Sequence, residues 1–293
     1  MKIALTALLL IIIPSVGWTE TITVGGTTME IPAPPGFVMI TPEMMPLRDV
    51  QRQTVPATNE QFIAFIAEAD KPAALKGEIP DLTRTFSVQV PTDLITRLST
   101  NAEFRELKDL FKNQSAAIEN QLKRDTPQLT DKMNKGLSDA LDTDVGLAVN
   151  EVKMLPPHHE TERSLAFSAI TKFSVNDEAG KRVPLVTAAT STAIHIKGRT
   201  IIVYAYAEES GLEWGREISK QWADAIIKAN PSDASTALQE AAKAGGFNWT
   251  KILIPAIVGG IVGGWTVFSK RKELFQKPSP PHSPSDSAAD EPI

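Results

Sequence analysis

The sequence predicts an α+β fold, an antiparallel sheet covered by helices, joined to one C-terminal transmembrane helix. Three observations predict it. Strand-like runs are grouped on either side of a long helical stretch instead of alternating with helices. The tightest connections, Gly25-Gly26 and Lys197-Gly198, have the composition of hairpin turns, which join antiparallel neighbours. The run from Ile252 to Phe268 carries no charge, and Thr266 is its only polar residue.

At the start of the chain, Met1 and Lys2 precede an apolar run from Ile3 to Ile13, followed by Pro14, Ser15, Val16 and Gly17. This pattern reads as a signal peptide over residues 1–17, with small residues before the cleavage point. The following stretch, TITVGGTTMEIPAPPGFVMI, alternates apolar and polar residues on both sides of Gly25-Gly26, so it reads as a strand–turn–strand ended by Pro32, Pro34 and Pro35. Two more strands are expected over Gln61–Glu68 and Arg84–Val90, with a loop between them.

The period then changes. Leu94, Ile95, Leu98, Phe104, Leu107, Leu110, Phe111, Ile118 and Leu122 recur mostly three or four apart, the spacing of an amphipathic helix. Thr100 with Glu103 forms a capping-box pattern that restarts the helix after Ser99. Thr126-Pro127 is expected to end it and to open another helix carrying Leu129, Met133, Leu137 and Leu141. A second group of strands follows at Val145–Leu155, Ser164–Val175, Val183–Ile196 and Arg199–Glu208. Ser210 with Glu213 is a further capping-box pattern, opening a last helix whose face is Leu212, Ile218, Trp222, Ile226 and Ala229. Pro231 closes the 18–230 domain. An Ala-, Ser- and Gly-rich stalk over 231–250 then leads to the membrane.

An opening strand that runs into the turn Pro34, Pro35, Gly36, Phe37, then a central helix, a meander and a closing helix with a tryptophan, resembles the broad Mog1/PsbP-like group, which includes small exported bacterial proteins. The resemblance covers residues 20–230 and implies the α+β fold. It supplies no shared catalytic residues.

The span over 251–269 is near the lower limit of the roughly 17–25 residues that cross a bilayer. Trp249 and Trp265 suit the interfaces, and Lys251 and Lys270 can reach outward from its ends. Lys270, Arg271 and Lys272 place the 270–293 tail on the cytoplasmic side, so the bulk of the chain is expected in the periplasm, on a single-pass bacterial inner-membrane protein. Gly259, Gly260, Gly263 and Gly264 form two overlapping small-xxx-small patterns, which allow close helix packing and point to self-association or a membrane or envelope partner. The tail QKPSPPHSPSDSAADEPI has a disordered composition.

Charge narrows the partners. Of 30 basic and 35 acidic residues, setting aside Lys2, Lys251 and the tail's four of each sign leaves 24 basic against 31 acidic outside, about −7. Such a domain is a poor match for nucleic acid. With no cysteine in the chain, disulfides, zinc–thiolate sites and thiol nucleophiles are excluded.

No Walker loop, G-x-G-x-x-G, G-x-S-x-G or S-x-x-K pattern occurs, and no cofactor is expected. The densest set of potential ligands is His158, His159, Glu160 and Glu162, where Pro156-Pro157 would have to supply a turn to converge them on a metal. Asp142, Asp144, Glu208 and Glu209 are acid–base candidates only if the fold brings them together, and His195 reads as an edge or partly buried residue of an apolar strand. The leading expectation is a non-enzymatic binding or scaffolding module on a membrane anchor. The alternative is a membrane-tethered periplasmic hydrolase or metal-dependent enzyme using His158, His159 and nearby carboxylates.

Overall fold

The computed structural model describes residues 18–113, 115–141, 146–176, 181–231 and 260. The signal peptide read over 1–17, the 232–250 part of the stalk, the span except Gly260, and the 270–293 tail lie outside the described residues. Among the described residues no helix is long and apolar enough to cross a membrane.

The alternating opening stretch folds as the hairpin β1 (Thr19–Val24) and β2 (Thr27–Pro32), paired from Thr19↔Pro32 to Val24↔Thr27. Its turn demands glycine. Gly25 and Gly26 have φ of +52° and +82°, and a Cβ on Gly25 would collide with the Ile95 carbonyl. The hairpin is a separate two-stranded sheet.

The main sheet is built from β3 (Phe37–Met39), β4 (Asn59–Ala67), β5 (Arg84–Pro91), β6 (Leu147–Met154), β7 (His159–Glu160), β8 (Ser164–Asn176), β9 (Arg182–Ile196) and β10 (Arg199–Glu208). Their order is β3-β4-β5-β10-β9-β8-β6, with β7 also paired to β8, and every pairing is antiparallel. Helices α1 (Leu47–Gln53), α2 (Lys71–Leu75), α3 (Asn101–Asn113), α4 (Ser115–Leu141) and α5 (Leu212–Ala229) accompany it. The predicted α+β architecture is therefore present, and the β9–β10 hairpin turns at Lys197-Gly198, both with positive φ.

Strand β10 explains the layering. From Arg199 to Ala207 every residue is buried, so both faces of the sheet centre must be covered. One face, with Phe65, Phe86, Val88, Val203 and Ala205, packs against α5 and the β1–β2 hairpin. Trp222 of α5 lies edge-on to Phe65 and Phe86, with centroids at 5.8 and 5.1 Å, and its Nε1 donates to the Pro32 carbonyl at 2.7 Å. Asn230, fully buried just past α5, accepts from Glu30 N at 2.9 Å and donates to Glu30 O at 2.6 Å. Arg199 holds the hairpin's other end through Thr27 Oγ1 at 3.0 Å and the Gly25 carbonyl at 2.5 Å.

The opposite face receives α3 and α4. Phe111 of α3 stacks on Phe167 at 4.6 Å, and Phe104 stacks on His195 at 5.3 Å. Val50 of α1 joins Met133 and Leu137 of α4 in a smaller cluster with Leu147, Phe173 and Val175.

Local signals were borne out unevenly. The Thr100–Glu103 box forms, with Thr100 N donating to Glu103 Oε2 at 2.7 Å and Glu103 N to Thr100 Oγ1 at 3.1 Å. The Ser210–Glu213 box does not. Gly211 occupies that N-cap without a side-chain bond, after a 3₁₀ turn over Glu209–Gly211. Nor does Thr126-Pro127 end a helix, because Pro127 lies inside α4, and Thr130 Oγ1 donates to the Thr126 carbonyl at 2.8 Å. At the sheet edges, β3 is only three residues long, and β6 has a register irregularity between Val149 and Glu151.

Asn230→Ala is expected to lower unfolding free energy by about 2 kcal/mol, because it strands both backbone groups of Glu30. Chemical denaturation checks this; a loss under about 0.5 kcal/mol would mean that the α5–β2 clamp contributes little.

Candidate functional site

A recess lies between the opening hairpin, the short edge strand β3 and helix α2. It is a cleft of about 440 Å³, within the range of ligand-sized recesses. Phe37, Met39 and Phe65 contribute from the sheet, Met44 from the loop before α1, and Leu75 from α2, while Glu20, Glu68 and Lys71 bring charge. Phe37 is held by edge-on contact with Phe86 at 4.6 Å. Two large apolar side chains at the cleft remain in solvent, Trp18 at 81% and Leu75 at 48% exposure. Sequence reasoning missed this site because its residues come from three separate stretches of the chain. The one available sign was the P-P-G-F turn, where Gly36 has φ +79° and delivers Phe37 into β3.

The proposed metal ligands are not brought together. Glu160 in β7 is held by Lys108 at 3.1 Å and Lys112 at 3.2 Å, both from α3, and these ammonium groups keep its carboxyl below the ordinary range. His158 instead sits among the charges of Arg216 and Glu213 on α5. Burial, then Arg216 and His159, lowers its pKa to about 4, and neither ring nitrogen has a hydrogen-bond partner. Glu162 lies in the loop after β7. Pro156-Pro157 thus feeds a strand that divides the ligands, and among the described residues no group of three metal-type side chains converges. The arrangement offers no geometric support for the metal-dependent alternative.

Of the acid–base candidates, Asp142 and Asp144 lie outside the described residues, while Glu208 ends β10 and Glu209 begins the exposed turn after it. His195 is more buried than its sequence position suggested. Strand β9 lies inside the sheet between β10 and β8, and His195 Nε2 donates to the Ser99 carbonyl at 2.9 Å. Burial lowers its pKa, which suits a neutral structural residue.

One more cluster lies on the α3–α4 side of the sheet. Tyr204 and Tyr206 are two apart on β10 and share a face, their rings stacked at 5.8 Å. Opposite them in register stand Ser87 and Thr85 of β5, and Ser191 and Ala189 of β9. Asn59 donates to Gln89 at 2.8 Å and Gln89 to Ser87 at 3.0 Å, so the strip is polar although buried. Gly260 lies against it, helical and buried, with its carbonyl accepting from Tyr206 Oη at 2.7 Å. Gly259, Gly263 and Gly264 lie outside the described residues.

No protein-family model matches the chain, and no curated protein matches it in sequence. Among solved structures it is similar to the Ran-binding protein Mog1p of Saccharomyces cerevisiae, at 10% identity over 75% of this chain and 98% of that one, with a TM-score of 0.33. It is also similar to cyanobacterial PsbP (CyanoP) of Synechocystis sp. PCC 6803, at 12% identity over 78% and 98%, with a TM-score of 0.27. The two neighbours agree with the resemblance drawn from element order and bear on nothing beyond the fold.

A pH prediction follows from His158. Its folded pKa of about 4 lies below the ordinary value of 6.5, so between these limits the unfolded chain binds more protons. Stability is therefore expected to fall as pH drops from 6.5 towards 4. His158→Gln should flatten that part of a melting-temperature profile, and an unchanged slope would show that His158 titrates alike in both states.

Proposed function

We propose that this chain is a membrane-anchored bacterial envelope protein whose 18–230 domain is a binding or scaffolding module, engaging an apolar anchor of a protein partner in the cleft beside β3. The cleft carries this reading. Its preformed apolar walls come from the sheet and α2, and Trp18 and Leu75 extend the same surface into solvent. A tryptophan at the mouth of a recess is the kind of residue that dominates binding energy once a partner excludes water. The acidic balance of the domain favours a partner with cationic residues around that anchor.

Anchorage is supported by the sequence: an uncharged 252–268 run, flanking tryptophans and a basic cluster at 270–272. On this reading the domain works in the periplasm, next to the inner membrane.

Two experiments test the proposal. A photoreactive residue at Leu75 in the full chain, expressed in cells, is expected to give one discrete protein adduct that the same probe at Lys220 on the outer side of α5 does not. Trp18→Ala should weaken capture roughly tenfold. No adduct, or equal labelling from both positions, would overturn the cleft reading. Separately, protease added outside the inner membrane should release the domain and leave the 270–293 tail protected. A chain recovered wholly in the cytosol would overturn the anchored reading while leaving the cleft untested by that result.

A further inference from the structure

A buried sheet face is normally apolar, yet the strip around Tyr204 and Tyr206 is lined by Ser87, Gln89, Thr85 and Ser191. Part of this polarity is satisfied internally through the Asn59–Gln89–Ser87 chain. Thr85 Oγ1 and Ser191 Oγ are buried, without a hydrogen-bond partner, in the same strip. Burial costs such groups on the order of 1–3 kcal/mol each when nothing answers them, so a strip that keeps them is not ordinary apolar core.

Gly260 reaches this strip through Tyr206. Its carbonyl accepts from Tyr206 Oη, and a Cβ at position 260 would collide with the hydroxyl end of the Tyr204 side chain. Glycine at this position lets the backbone lie directly against the tyrosine pair, with no side chain between them. The small partners flanking the tyrosines, Ser87, Ser191 and Ala189, keep the approach open on the sheet side.

We propose that the Tyr204–Tyr206 strip is a docking site for the glycine-bearing C-terminal segment of this same chain, with Gly260 as its point of closest approach. Gly260 then serves approach to the sheet, beyond the helix-to-helix packing that its sequence pattern suggests. A segment seated on the sheet cannot at the same moment lie in a bilayer. The strip therefore gives the apolar run a protein-lined place to stay before, or instead of, entering lipid. This inference does not rest on the cleft or on anchorage.

The full chain allows a direct test. Tyr206 is replaced by a photoreactive phenylalanine analogue, and the detergent-free protein is irradiated and digested with trypsin. Cleavage after Lys251 and Lys270 isolates the whole run as one peptide, Ile252–Lys270. Intrachain labelling of that peptide in the monomer is expected, and Gly260→Leu should reduce it at least tenfold. Labelling only between chains would assign the strip to a second copy and overturn the own-chain proposal. Labelling confined to other peptides, or unaffected by Gly260→Leu, would overturn it as well.

A second readout avoids the photoreactive residue. Tyr204 and Tyr206 are the chain's only tyrosines, and burial raises both pKa values above the ordinary range. In a folded Gly260→Leu chain, tyrosinate absorbance is expected to emerge closer to the ordinary pKa of about 10 than in the native chain. Identical titrations would overturn the docking. Membrane retention of the same variants, scored separately, distinguishes this outcome from failure of the anchor.

Discussion

Strand β10 is buried along nearly its whole length on both faces, and that burial constrains everything built around it. A strand so apolar cannot lie at an edge or face water. It must have hydrogen-bonded neighbours on each side and cover above and below; β5 and β9 flank it, α5 packs on one face, and Gly260 lies against Tyr204 and Tyr206 on the other. Trp222 links the layers on one face: its ring fills the space over Phe65 and Phe86, and its N–H fixes the hairpin strand β2. The hairpin thereby becomes part of the core cover, and the cleft beside β3 exists because the hairpin is held at that distance from α2.

Polar side chains divide the two covers by role. On the α5 side, Asn230 and Arg199 bond backbone groups of the hairpin and its turn, fixing the position of a small element with little apolar surface of its own. On the other side, Lys108 and Lys112 of α3 reach β7 and its following loop through Glu160 and the Thr161 carbonyl. This second linkage explains why Glu160 is unsuited to metal binding. Its charge is spent on locating α3 against the sheet, while His158 is turned towards α5.

Much of the fold was legible because the strands carry their own evidence. The Arg199–Glu208 strand matches its sequence boundaries, and the Lys197-Gly198 turn fixes its partner. What escaped notice was short or non-local. Helices α1 and α2 span seven and five residues, too few for a periodic pattern to declare itself. Pro127 misled for a physical reason. Proline costs a helix one donor, but tertiary packing of Met133 and Leu137 against β6 and β8 outweighs that local loss, and α4 runs on. The cleft was invisible because Trp18, Phe37 and Leu75 have no shared spacing. By contrast, the tyrosine strip could have been read from the alternation S-V-Q-V in β5 and Y-A-Y in β10, which put their polar groups on one face of neighbouring strands.

The margins of the sheet have a consequence for life at high local concentration. Open strand edges invite sheets of neighbouring molecules to add to one another and grow into fibres. Here one margin is β3 and the part of β4 that β3 leaves uncovered, itself irregular between Gln61 and Ile63, and the other is interrupted at Val149–Glu151, where Glu151 and Lys172 also form a surface ion pair at 2.7 Å. Neither margin is a flat template long enough to propagate. Copies crowded side by side would therefore find no long, even strand at the margins of this sheet to add to.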